Sequence, residues 1–157
     1  MKLVAALGGI VLILDQAAKW LALRRLGPGD PVNMIDGFFS LTLVMNPGLA
    51  FGMLGTVPRG WRWIVALLSI GALGVLATLA ARLLPEGGPV AAVAIGMIFG
   101  GAAGNLIDRA RFGAVVDFLD FSWRGWHWPA FNVADSAISV GVALLALRML
   151  TASPPQA

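Results

Sequence analysis

This chain has no cysteine, which excludes disulfides, thiolate catalysis and cysteine-held metals. It has one histidine, His127, set between Trp126 and Trp128. That setting reads as part of an aromatic belt at a membrane interface rather than as a metal ligand or a base. Lysine occurs only as Lys2 and Lys19. A Ser/Lys dyad would therefore need Lys19 beside Ser136 or Ser139, and nothing in the pattern fixes that pairing. Charge is scarce as well. Asp, Glu, Lys and Arg make up 12% of the 157 residues, against about 25% in soluble domains. With 59% hydrophobic residues and a mean hydropathy of +0.85, the chain reads as an all-α polytopic membrane protein with room for four spans. The net charge of +3 is scattered, with no basic run. It reads as affinity for anionic lipid headgroups and not as a nucleic-acid surface.

The apolar segments predict spans at about 3–23, 61–84, 90–107 and 131–150 of a single membrane domain. Lys2 and the apolar run after it imitate a signal peptide, but the run continues past Lys19 to Leu23, so no cleavage is expected. Asp15 and Lys19 are four residues apart and share a helix face. Gly27-Pro28-Gly29-Asp30-Pro31 breaks the first helix. Phe38–Val44 reads as a strand, Asn46-Pro47-Gly48 as a turn, and Ala50–Leu54 as a returning strand. A small β-rich extramembrane element is thus expected at about 25–60, between the first and second helices. Gly96, Gly100 and Gly104 recur every four residues and predict a smooth face for close helix packing. An interfacial connector is expected at 108–130, with Trp123, Trp126 and Trp128 at headgroup level.

Four of the seven aspartates, Asp108, Asp117, Asp120 and Asp135, fall within Gly100–Ser136. Carboxylates beside membrane-depth sequence are costly and mark functional sites. Two that are close together cannot both ionise easily. One can then activate water while the other polarises a carbonyl, the logic of aspartic peptidases. Asp135 shares a helix face with Asn132, Ser136 and Ser139, and Asp117 lies in a connector able to fold back to it. Asp108, with Arg109 as neighbour and partner, reads as structural, and Asp120 as facing solvent. An oxygen-only metal site would suit magnesium or calcium. An ion- or proton-coupled carrier using the aspartates as a relay is the main non-enzyme alternative, and a non-catalytic scaffold is the blandest.

Five motifs resemble those of the bacterial lipoprotein signal peptidases (signal peptidase II), in that family's order and spacing. They are Asp15-Gln16-Ala17-Ala18-Lys19, Asn46-Pro47-Gly48-Leu49-Ala50-Phe51-Gly52, Gly100–Arg109, Val115-Val116-Asp117-Phe118 and Phe131-Asn132-Val133-Ala134-Asp135-Ser136. The resemblance implies an aspartic endopeptidase that cuts diacylglyceryl-modified prolipoproteins before the lipidated cysteine. It implies Asp117 and Asp135 as the catalytic pair, and Asn46, Gly48, Asn105, Arg109 and Asn132 as substrate-binding residues. Asp15, Lys19 and Asp108 would be structural support. It further implies inhibition by globomycin, both termini in the cytoplasm, and an active site at the outer face of the inner membrane. No metal or other cofactor is expected, and a glycine face packed internally leaves a monomer in contact with membrane lipids. Arginine counting points the other way. Arg24, Arg25, Arg59, Arg62, Arg109, Arg111 and Arg124 fall on the polar side, against Lys2, Arg82 and Arg148, which taken literally puts the polar side in the cytoplasm.

Overall fold

The computed structural model describes residues 1–48 and 62–151, with side chains throughout except at 62–66, 72, 79 and 81–86. Helix α1 spans Lys2–Arg25 and ends at Leu26, whose backbone is extended. Arg24 and Arg25 occupy its last turn, where cations complement the helix dipole. Strands β1 (Val32–Ile35) and β2 (Phe39–Asn46) follow as an antiparallel hairpin. Helix α2 covers Arg62–Phe112 and is broken at Gly88 (φ 62°, ψ −160°), which divides it into a first arm and a second arm, Gly87–Phe112. Strand β3 (Val115–Trp123) turns through Arg124 and Gly125, both at positive φ, into β4 (Trp126–His127). Helix α3 spans Val133–Thr151.

The four strands form one antiparallel sheet in the order β1-β2-β3-β4. The predicted strand at 38–44 is present as β2, whereas the returning strand expected at Ala50–Leu54 lies outside the described residues. The sheet is not confined to the 25–60 element, because two of its strands come from the 108–130 connector. Val44 pairs with Asp117, Met45 with Val116 and Asn46 with Val115. Alternation of β-branched and aromatic residues makes β3 a strand, but its partner lies some seventy residues earlier, which no local pattern specifies.

Among the described residues, three helices are long and apolar enough to cross a membrane: α1, the second arm of α2, and α3. The first arm carries a shorter apolar stretch, Leu67–Thr78. The helices turn large apolar side chains outward, including Ile13 at 69% and Leu147 at 59% exposure. Small residues line the contacts between them. Val4 and Leu7 of α1 lie against Gly96, Gly8 and Val11 against Gly100, and Asp15 against Gly104. A Cβ at Gly100 would overlap the Gly8 carbonyl, so the glycine face is used internally, to bring α1 against α2. Gly101 serves α3 in the same way, lying against the Ala134 carbonyl and Ile138.

Candidate active site

This tight packing brings the polar ends of α1, α2 and α3 together under the sheet. Asp15, Lys19, Asn105, Asp108, Asp117 and Asn132 are all buried, and buried polar groups persist only when they are hydrogen-bonded or paired. Lys19 Nζ lies 2.8 Å from Asp15 Oδ2 and 2.8 Å from Asp108 Oδ2, and donates to Asn105 Oδ1 at 2.9 Å. The predicted Asp15–Lys19 pair is therefore formed. The expected partnership of Asp108 with Arg109 is not. Adjacent residues on a helix project in different directions, so Asp108 turns to Lys19 while Arg109 donates to the carbonyls of Gly48 (3.1 Å) and Asn105 (3.3 Å).

Two further bonds tie this ion cluster to the rest of the site. Asp15 Oδ1 accepts the Ala134 N–H at 2.9 Å, and Asp108 Oδ2 accepts the Val116 N–H at 3.1 Å. Gln16 adds a bond that sequence reasoning passed over, donating to Asp108 Oδ1 at 3.0 Å. The signal available was its polarity within an apolar run.

Asp117 and Asp135 are held by amides rather than by cations. Asp117 accepts from Asn132 Nδ2 at 2.7 Å and from Asn46 Nδ2 at 2.9 Å. Asp135 accepts from Asn105 Nδ2 at 2.8 Å and from the Asn132 N–H at 3.3 Å. Asn132 Oδ1 in turn accepts the Asp135 N–H at 2.9 Å. This reciprocal pair is a capping box at the start of α3, so the motif that begins the helix also places both side chains. Asn46 Oδ1 accepts the Gly48 N–H at 3.0 Å, an Asx turn at the end of β2.

Burial pushes the Asp117 carboxyl up to about 7. The Asn46 hydrogen bond opposes that rise, the charge of Asp135 adds to it, and Asn132 and Lys19 offset part of it. Asp120 stands apart at the sheet margin, where its carboxylate meets His127 Nδ1 at 3.1 Å. Ser136 gives its hydroxyl to the Asn132 carbonyl at 2.9 Å, and the bonds of Lys19 go to Asp15, Asp108 and Asn105.

Both carboxylates border a cavity of about 830 Å³. Its polar end holds Asn46, Asn105, Arg109, Asp117 and Asp135, while Leu68, Leu73, Leu76, Ile98 and Ile138 line an apolar remainder between the helices. Arg109 Nε is buried with no hydrogen-bond partner among the described residues.

Residues 7–151 match the family model for signal peptidase (SPase) II. This chain belongs to the signal peptidase II family. Membership makes it a membrane peptidase. It is 50% identical over 139 residues to the lipoprotein signal peptidase of Geobacter sulfurreducens, a match covering 88% of this chain and 86% of that one. It is 41% identical over 156 residues to the enzyme of the same name from Nitratidesulfovibrio vulgaris, covering 99% and 93%. Among solved structures, a bacterial membrane enzyme determined by the in meso method at 2.3 Å superposes with a TM-score of 0.79 at 28% identity, covering 100% of this chain and 94% of that one. A second, determined at 1.9 Å, gives a TM-score of 0.76 at 30% identity, covering 98% and 96%. The four-strand sheet and the polar junction thus belong to a signal peptidase II scaffold.

Proposed function

We propose that this signal peptidase is an intramembrane aspartic endopeptidase that removes the signal peptide from diacylglyceryl-modified prolipoproteins, cutting before the lipidated cysteine. One observation carries the reading: two carboxylates, Asp117 and Asp135, meet only amide and N–H donors among the described residues and border the polar end of a cavity whose remainder is apolar. With burial and the neighbouring charge holding a proton on Asp117 near neutral pH, Asp135 acts as the base that takes a proton from water. Asp117 donates its proton to the scissile carbonyl oxygen as the water oxygen attacks the carbon. Collapse of the tetrahedral intermediate returns a proton to the departing amide nitrogen of the cysteine and regenerates the pair.

Arg109 has an unused Nε suited to a substrate carbonyl. Together with Asn46, Gly48, Asn105 and Asn132 it would hold the peptide backbone extended across the pair. The apolar part of the cavity would take the acyl chains and the side chains of the signal peptide. Asp15, Lys19 and Asp108 would hold the helix ends together.

The first arm of α2 would supply a fourth span. Both termini would then lie on the cytoplasmic side of the inner membrane, with the pair at the outer face, where a lipidated cysteine is presented. The arginines on that side would contact lipid phosphates, which accounts for a count opposite to the positive-inside rule. No metal or other cofactor enters the scheme, and a monomer suffices because the glycine face is already filled.

The test is cleavage of a diacylglyceryl-modified prolipoprotein by the purified chain in detergent, beside Asp117→Asn and Asp135→Asn and a globomycin control. Cleavage before the lipidated cysteine, lost in both variants and blocked by the inhibitor, is expected. Full activity in either variant would remove the pair from the mechanism.

A further inference from the structure

Lys19 does not border the cavity, yet the groups that hold the two carboxylates converge on it. A side-chain amide can point either of two ways. Asn105 places Oδ1 on the Lys19 ammonium at 2.9 Å, which leaves Nδ2 to donate to Asp135 at 2.8 Å. Turned over, it would set N–H against the ammonium and a carbonyl against the carboxylate, two repulsive contacts in a buried place. Asn46 and Asn132 are locked by backbone N–H groups, of Gly48 and of Asp135. Asn105 Oδ1 is instead held by a charged side chain, with a longer bond from Asn132 Nδ2 at 3.2 Å beside it.

The other two contacts of Lys19 also lead to the pair. Asp15 accepts the N–H of Ala134, the residue before Asp135, and Asp108 accepts the N–H of Val116, the residue before Asp117. One ammonium therefore bridges two carboxylates, each of which grips the backbone next to one member of the pair.

We propose that Lys19 is a positioning residue for the peptidase reaction: it locks Asn105 as a donor to Asp135 and, through Asp15 and Asp108, sets the placement of the elements that carry Asp135 and Asp117. The proposal rests on the aspartic reading above. Among the described residues, the charged groups that act on the pair are Asp15 and Lys19 from α1 and Arg109 from α2, with Asp108 paired to Lys19 behind them, while β2 contributes the neutral Asn46. Lys19 is thus the cation nearest the amide that orients Asp135, and its loss leaves that amide with only the longer Asn132 contact on its oxygen and makes the pair harder to ionise.

The experiment measures kcat and KM of the full chain in detergent on a lipidated prolipoprotein peptide, from about pH 5 to about pH 9. Lys19→Met is expected to lower kcat by about 10–100-fold with KM within about threefold, the signature of misplaced catalytic groups. Both limbs of its pH profile move upward. Asn105→Ala gives a shift of the same sign, and Lys19→Met lowers kcat by a smaller factor on the Asn105→Ala background than on the parent, because the two share one contact. A folded Lys19→Met chain with an unmoved pH profile overturns the proposal, and so do fully additive losses in the double variant. Should Lys19→Met fail to fold, Lys19→Met/Asp108→Asn removes one charge of each sign and takes its place. An unmoved profile in Asn105→Ala alone is equally decisive against it. Asp117→Asn runs in the same series: if it stays active, the aspartic reading itself has failed, which separates that outcome from a failure of Lys19.

Discussion

Two groups of carboxylates lie side by side in this protein and are treated in opposite ways. Asp15 and Asp108 share the ammonium of Lys19 at 2.8 Å each. Asp117 and Asp135 receive amide and backbone N–H donors and, among the described residues, no salt bridge. The first group is compensated and closed off. The second is desolvated without full compensation and borders the cavity. The same residue type is therefore held by a shared ammonium in one group and by neutral donors in the other.

Breaking the second group has the largest expected effect. Asp117→Asn or Asp135→Asn should lower turnover by about a thousandfold or more, with an unchanged melting temperature or a higher one. A lipidated-substrate cleavage assay and a thermal melt in detergent measure the two sides. A variant that loses turnover only because it unfolds would erase the distinction between the groups.

Breaking the first group should act mainly on stability. Asp15→Ala leaves the buried Lys19 with one carboxylate, Asp108, in place of two and strands the Ala134 N–H, a change that costs about 1–3 kcal/mol. The melting temperature should drop sharply, with a smaller effect on turnover per folded molecule. A normal melt with lost turnover would instead make Asp15 part of the chemistry.

The pH dependence of stability sharpens the contrast. The Asp117 carboxyl is raised, chiefly by burial, from 3.8 to about 7. Between those values the folded chain keeps a proton that the unfolded chain has released. This contribution to stability is therefore full below the unfolded value and is lost as pH rises to about 7. Asp117→Asn removes that slope, so its melting temperature should gain on the parent through this window, by the equivalent of at most about 4 kcal/mol. Parallel melting curves for the two proteins across the window would refute the assignment.

The smallest effect is expected at Asp120. Its contact with His127 at 3.1 Å lies at the sheet margin, with the histidine 61% exposed, and exposed pairs of this kind contribute about 0–1 kcal/mol. Asp120→Asn should leave both turnover and the melt near the parent. A large loss of turnover would move Asp120 from the margin into the site.

The amino-acid sequence alone determined the membrane character, the first, third and fourth helical segments, the strand at β2, the glycine face and the family. It also singled out the polar residues now found around the cavity, because a polar side chain in an apolar run stands out wherever it occurs. Periodicity says which residues share a face, and that sufficed for Asp15 with Lys19 and for Asn132 with Asp135. Periodicity does not say what the face meets. Only the tertiary structure paired β2 with β3, extending the sheet beyond the 25–60 element. It also moved Asp108 from its sequence neighbour Arg109 to Lys19, and made Gln16 a partner of Asp108. The bonds that build the site join residues far apart in the chain: Asn46 to Asp117 over 71 positions, Lys19 to Asn105 over 86, and Asp15 to Ala134 over 119. Their geometry follows from how closely Gly100, Gly101 and Gly104 let three helices approach, and that distance is decided by packing rather than by any local pattern.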